Sequence, residues 1–414
     1  MTRPRTRKLV RDLWLARGRV GLMVVAIAVA LTGVGALLVA RAVILREANA
    51  AYAATNPASA TLDVAGGVDA ALLAKVRARP GIADAVARQT ITTRVRVDGE
   101  WRRMLLFVIA PDDPLTTGRF RVEAGAWPAP DDGLLIERKA GAVLDAADGD
   151  TLEIAGPAGT TAALRVTGTV YDPALAPATQ ERAGYGYLTP AALTRLGFAP
   201  VAERLAIVVG APGGAREHDQ ATVDAAASGL ADWLAAAGHP VHAVEAPPYR
   251  HPHQNQVDTI TGLFLAFAVA ALALAGVLVA STLGGMLAGQ TAQIGVMKTV
   301  GATTGQLLRM YLAATAVIAA AATTLAVWPA LLAGYGLVDM VTGLLNVDVT
   351  DRGVPWWVFS TLVAVGLAVP VGIALVPVLR AAGITVRAAL DSAGGAARVG
   401  ARRVDRWLAR LGGG

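Results

Sequence analysis

Long uncharged apolar runs occupy both ends of the chain. Between them lies an extended stretch in which polar positions and turn formers recur every few residues. Residues 20–40 hold no charge between Arg19 and Arg41, and about 20 apolar residues suffice for a helix to cross a hydrocarbon core of about 30 Å. Three further apolar runs predict spans at 259–282, at 311–335 with Pro329 inside it, and at 356–379 with Pro370 and Pro377 near one end. A cleaved leader competes for the first run, because a basic segment precedes it and Ala48-Asn49-Ala50 resembles a cleavage site. The run exceeds the roughly 7–15 residues of a signal-peptide core, which favours a span.

Residues 41–258 predict an α+β soluble domain. Residues 91–97 and 101–109 flank Asp98-Gly99, the strongest short hairpin signal a sequence offers. Leu134-Leu135-Ile136 and the runs 151–154 and 164–170 read as further strands separated by Gly, Pro and Asp. Helical spacing marks 70–78 and 221–237, the latter amphipathic through Val223, Leu230, Trp233 and Leu234. The expected fold class is a membrane protein with one N-terminal and three C-terminal transmembrane helices and a large α+β extracytoplasmic domain after the first.

Charge sets the orientation. Residues 1–19 carry seven Lys/Arg against one Asp, residues 380–414 carry seven Arg against two Asp, and residues 41–258 carry 20 basic against 25 acidic side chains. Basic ends beside apolar runs follow the positive-inside rule, which places the amphipathic segment 1–19, the loop 283–310 and the tail 380–414 in the cytoplasm. The domain and the loop 336–355 then face outward, in a bacterial inner membrane. Tyr335, Trp356 and Trp357 fall at the outer interface and Tyr311 at the inner one. The net charge of +6 therefore reports topology, and no recognition motif accompanies it to suggest nucleic acid.

Several chemistries are poorly supported. The four expected spans contain no Asp, Glu, Lys, Arg or His, which an ion-coupled carrier needs at mid-membrane. Cysteine is absent, so no disulfide or thiolate metal site forms. None of the five serines lies in a nucleophile-elbow motif, and Lys298-Thr299 follows Met297 where a phosphate loop requires Gly, so catalytic residues are expected to be none and any ATPase a separate chain. His239, His242, His251 and His253 cluster before the second span without a chelating spacing; metal is expected to be none, the role of the cluster stays open, and a polar juxtamembrane stalk is the simpler reading.

The segment 283–310 reads as a helix, a break and a helix. Ile294, Met297 and Val300 predict an apolar stripe ending at Gly301, a residue suited to the left-handed position after a helix. Thr303 with Gln306 three positions on predicts a capping box that starts the next helix. A short amphipathic element between two membrane helices is a lever: whatever docks on it can move both.

Ile294-Gly295-Val296-Met297-Lys298-Thr299-Val300-Gly301-Ala302-Thr303 resembles the loop after span two of the FtsX/MacB/LolC-type ABC permeases, which reads like Arg-Glu-Ile-Gly-Val-Leu-Lys-Ala-Leu-Gly-Ala-Thr. Ala292-Gln293 replaces the charged lead-in. Pro377-Val378-Leu379-Arg380-Ala381-Ala382 and Ile384-Thr385-Val386-Arg387-Ala388-Ala389-Leu390 are similar to the closing motifs of that family. Leu135-Ile136-Glu137 with Gly149-Asp150-Thr151-Leu152 is similar to part of its outer domain. The resemblance implies a non-catalytic permease subunit that couples to a cytoplasmic ABC ATPase dimer through Gln293, Ile294, Gly295, Met297, Lys298, Gly301, Ala302 and Thr303. It implies a second permease copy or paralogue, an extracellular or periplasmic partner, and ATP with Mg acting only through the partner ATPase, with no cofactor bound directly. The output stays open among lipoprotein or lipid extraction, peptide or drug export, and activation of a cell-wall hydrolase. Residues 402–410 resemble the segment before a new first span in duplicated members, so the chain is also read as one half of a longer permease. The rival reading is a membrane-anchored receptor or assembly factor without ATP coupling.

Overall fold

The computed structural model describes residues 11, 14–211, 215–247, 249 and 254–385. Most of the segment before Trp14, His251, His253 and the tail beyond Thr385 lie outside the described residues. In chain order the elements are α1 (Arg17–Ala54), β1 (Ala60–Val64), α2 (Ala70–Arg77), β2 (Ile82–Val97), β3 (Glu100–Val108), β4 (Arg121–Ala124), β5 (Gly133–Glu137), α3 (Ala140–Leu144), β6 (Thr151–Ala155) and β7 (Thr161–Tyr171). There follow α4 (Ala178–Glu181), β8 (Ala183–Leu188), α5 (Pro190–Arg195), β9 (Arg204–Val209), α6 (Gln220–Ala236), β10 (Val241–Glu245), α7 (Gln254–Gly289), α8 (Thr291–Thr299), α9 (Thr304–Leu345) and α10 (Trp356–Ala382). The chain divides into one unit of Met1–Ala42, Ile260–Leu337 and Gly353–Gly414, and a second of Val43–Thr259 and Val338–Arg352.

The first unit is helical. Four helices, α1, α7, α9 and α10, are long and apolar enough to cross a membrane. They share a core of Met23, Ile27 and Leu31 from α1, Leu272 and Val279 from α7, Ile318, Ala322 and Ala326 from α9, and Leu362 and Ala374 from α10. Lipid tails are as apolar as these side chains, so close packing rather than water exclusion holds such helices together, and small residues at the contacts permit it. A Cβ on Gly35 would stand 2.7 Å from the Ala330 Cβ, and one on Gly334 2.8 Å from the Val39 Cβ. The buried Thr323 hydroxyl donates back to the Ala319 carbonyl at 2.8 Å, so it sits among apolar neighbours without an unmet donor.

The second unit is an α+β domain on one ten-stranded sheet of order β10-β1-β9-β2-β3-β8-β5-β7-β4, with β6 pairing β2 and β7. Strand β2 joins its two halves: Ala85 pairs with Ile207 of β9, and Thr93 with Met104 of β3. One core lies around Leu62, Val76, Ile207, Leu230 and Leu234. The other gathers Met104, Leu106, Leu134, Ile154 and Val166. Helix α6 buries Val223, Ala227, Leu230 and Leu234, one face at helical spacing, and Asp219 caps it by accepting from Thr222 N at 3.1 Å. The β2–β3 hairpin turns on Asp98 and Gly99, both left-handed at φ 51° and 83°, as the Asp-Gly pair predicts.

Two of the long helices that reach this unit, α1 and α9, run further than the sequence pattern suggested. The end of the first helix, expected at Ala40, is corrected: α1 continues to Ala54, with Val43, Ile44, Ala48 and Tyr52 buried at helical spacing. Likewise α9 continues through half of the expected outer loop, to Leu345. The short loop that remains is tied down by polar contacts. Glu47 of α1, 3% exposed, accepts from Thr350 N and Thr350 Oγ1, each at 2.7 Å, and from Asp351 N at 3.2 Å. Asn346, also buried, donates from Nδ2 to Glu137 Oε1 at 2.6 Å and accepts from Arg138 Nε at 2.7 Å. Arg138 and Arg121 each hold Asp348 at 2.9 Å.

Candidate functional site

Helix α8 is a single short helix between two long ones, and its geometry follows from its ends. Its C-terminus closes with two bonds, Ala302 N to Met297 O at 2.9 Å and Gly301 N to Lys298 O at 3.0 Å, with Gly301 left-handed at φ 97°. This is the Schellman pattern, which satisfies carbonyls that the end of a helix otherwise leaves open. The next helix starts at once: Thr303 Oγ1 accepts from Gln306 N and Gln306 Oε1 accepts from Thr303 N, both at 3.3 Å. This capping box fixes the first turn of α9. At the other end the Tyr311 hydroxyl donates to Gln290 Oε1 at 3.1 Å, bracing the α7–α8 junction against α9.

The residues singled out in the sequence fall on different faces of this element. Ile294 and Gly295 are buried, and Ile294 packs in a cluster with Leu287, Leu307, Val378 and Ala381. Met297 is half-buried against the same cluster. Lys298 donates from Nζ to Ile384 O at 2.7 Å, joining α8 to the chain after α10. Gln293, Gly301 and Thr303 are exposed and Ala302 is half-buried. The expected stripe of Ile294, Met297 and Val300 is corrected at its end: Val300 is 84% exposed. It instead shares the outer face with Gln293 and Val296, spaced three and four residues apart, and Val296 is 55% exposed. Val296 and Val300 were legible as apolar residues, but only the packing shows that they face outward. The Tyr311–Gln290 brace lacked any sequence signal.

No group of His, Asp or Glu able to hold a metal ion occurs among the described residues. His239 and His242 flank and enter β10.

In comparison with known proteins, residues 265–386 match the family described as FtsX-like permease C-terminal. Among solved structures, the chain is similar to the periplasmic region of MacB from Actinobacillus actinomycetemcomitans, at 11% identity, with 48% of this chain and 92% of that one covered and a TM-score of 0.30. It is also similar to the extracellular domain of the noncanonic ABC-type transporter YknZ from Gram-positive bacteria, at 13% identity, with 44% and 100% covered and a TM-score of 0.30. No curated protein sequence matches. Residues 265–386 thus carry a domain of the FtsX-like permease C-terminal kind, in a chain with four helices long and apolar enough to cross a membrane.

Proposed function

We propose that this permease subunit couples ATP hydrolysis by a separate cytoplasmic ATPase to motion of its α+β domain on the opposite side of the membrane, and that α8 is where the ATPase docks. The carrying observation is the outward face of Gln293, Val296 and Val300 on a helix braced at both ends. Two exposed β-branched apolar side chains on a rigid, short helix suit a socket on a partner. The braces then pass a displacement of α8 into α7 and α9 rather than absorbing it. The charge distribution supports a cytoplasmic α8 through the positive-inside rule. The work is done outside, on a lipoprotein, lipid, peptide or drug, or through a wall hydrolase. Two copies, or a copy and a paralogue, match the two ATPases of such a machine.

The test is co-purification with the cell's ATPases in nanodiscs, comparing wild type with the Val296→Asp, Val300→Asp double variant. Both positions are exposed, so the variant inserts and folds; Ile294→Asp would instead bury a carboxylate. Full burial of a Val in a partner is worth about 1.5 kcal/mol or more, so losing two weakens docking about 100-fold. Undiminished coupled ATP turnover in the double variant would sink the docking assignment. Failure of wild type to retain any ATPase would favour the receptor or assembly-factor reading.

A further inference from the structure

A groove of about 880 Å³ runs between α7 and α10 in the helical unit, at the end near α8. Its walls are mostly apolar, from Val277, Ala280 and Gly284 on one side to Ile373 and Pro377 on the other, with Ser281 and Thr291 as the uncharged polar residues among them. Arg380 lines its end. From Val277 to Ala288 the groove follows α7 for about 16 Å at about 1.5 Å per residue. The apolar helix runs to Gly289, past the span end expected at residue 282, and about 16 Å is close to one leaflet, half of a hydrocarbon core about 30 Å thick.

Arg380 is the informative residue. Among the described residues no hydrogen bond or ion pair engages its guanidinium, although an arginine carries five donors. A second cation lies at the same rim, because Lys298 donates to Ile384 O and Ile384 lines the groove. The occupant must therefore bring an anion to the membrane surface and an apolar body one leaflet long below it. A membrane helix of a second copy does not supply the anion, since residues 13–46, 259–338 and 353–390 contain no Asp or Glu.

We propose that this groove holds a resident anionic phospholipid from the leaflet on the α8 side, with an acyl chain along Gly284 and its phosphate on Arg380. Arginine binds phosphate through paired, charge-assisted hydrogen bonds, which a lysine reproduces only as a point charge. Because Lys298 belongs to α8 and reaches the same rim, the lipid fills the space between α7, α8 and α10 and braces the element on which motion starts. The assignment is independent of which partner docks on α8.

The test uses the full chain in mild detergent, incubated with dioleoyl phosphatidylglycerol or with dioleoylglycerol, which has the same chains and no phosphate. Bound lipid is counted by native mass spectrometry. Wild type retains the phosphatidylglycerol in preference to the diacylglycerol. Arg380→Gln lowers its retention about tenfold, the scale of one charge-assisted hydrogen bond, and leaves diacylglycerol unaffected, while Arg380→Lys restores part of the loss. Gly284→Leu lowers retention of both lipids; a Cβ at Gly284 meets nothing within 4 Å, so the added side chain fills the groove without displacing protein atoms. Equal retention of the two lipids by wild type, or full phosphatidylglycerol retention by Arg380→Gln, overturns the proposal. So does a Gly284→Leu variant that keeps its lipid but shifts from dimer to monomer, which would make the groove a seat for a second copy.

Discussion

Replacing Asn346 by Ala tests whether the loop between α9 and α10 is held by the polar clasp seen in the α+β unit. Asn346 is 3% exposed and its two amide ends serve two charged groups, Nδ2 donating to Glu137 at 2.6 Å and Oδ1 accepting from Arg138 at 2.7 Å. Alanine leaves both groups short of a partner, at about 1–3 kcal/mol for each buried group so deprived. The loss is cushioned because Glu137 still accepts from Lys139 N, and Arg138 still holds Asp348. Asn346 is also left-handed, at φ 56°, a conformation that costs Ala roughly 1 kcal/mol more than Asn. A net loss of about 3 kcal/mol corresponds to about 100-fold more frequent opening of the loop. Hydrogen exchange on the full chain in nanodiscs reads this at the amides of Asp348, Thr350 and Asp351, which are bonded to Tyr171 and Glu47. Asn346→Gly loses the same side-chain bonds without the backbone strain, so it should exchange about fivefold more slowly than Asn346→Ala. Exchange in Asn346→Ala within about threefold of wild type would refute the clasp.

Two carboxylates beside Arg138 respond to pH in opposite senses. Burial raises the Glu137 pKa above 4.5 despite hydrogen bonds from Lys139 N and Asn346, so its contribution to stability is full below the unfolded value and declines as pH rises through the folded one. Burial also opposes ionisation of Asp348, but Arg138 and Arg121 outweigh it and hold its pKa below 3.8; its contribution is present above the unfolded value and lost as pH falls through the folded one. Thermal unfolding between mildly acidic and neutral pH should therefore flatten in Glu137→Gln, the acid-side loss should shrink in Asp348→Asn, and unchanged profiles would contradict the assignment. In the helical unit, Gly334→Val should cost about 1–3 kcal/mol by overpacking, since its Cβ meets Val39 and the Ala36 carbonyl, whereas Gly336→Val, with nothing within 4 Å, should be tolerated; fluorescence-detected gel filtration of heated samples separates the two. Gly301→Ala meets no atom within 4 Å and pays only for its positive φ, about 1 kcal/mol, so it should raise exchange at the Ala302 amide about fivefold without harming insertion.

What could be read from the sequence was what short-range chemistry decides. The apolar runs marked four helices, Asp98-Gly99 marked a hairpin, and Gly301 with Thr303 and Gln306 marked the helix break to within a residue. The extension of α1 was hidden by Arg41, Arg46, Glu47 and Asn49, which look like the start of a soluble domain, although Val43, Ile44, Ala48 and Tyr52 keep the helical period beneath them. Strand β8 has no clear local signal because Gly184 and Gly186 offset the strand preference of Tyr185 and Tyr187. Its glycines answer to packing instead: a Cβ at Gly184 would stand 2.6 Å from Leu144, and one at Gly186 2.7 Å from Leu134. The parallel pairings β3–β8 and β5–β7 and the bond between Asn346 and Glu137 join residues far apart in sequence, and no local pattern announces them.

The same division explains how the chain can be both stiff and responsive under the proposed reading. The bonds that shape the ends of α8 are local, a Schellman turn, a capping box and the Tyr311–Gln290 bond, while Lys298 ties its body to Ile384 and Ile294 packs on Val378. The polar clasp on the loop after α9 is long-range, made by Glu47, Arg121 and the adjacent Glu137 and Arg138 from three separate places in the chain. Helix α9 is continuous between the two, beginning at Thr304 beside the first and ending at Leu345 beside the second. A helix held by local bonds at its start re-forms them after displacement, because the partners never separate far. A loop held by bonds from distant elements moves only by dragging those elements with it. Under the proposed coupling, cutting the clasp at Asn346 should leave ATPase docking on α8 intact while lowering coupled output. Equal loss of docking and output in Asn346→Ala would show that the two ends do not act in series.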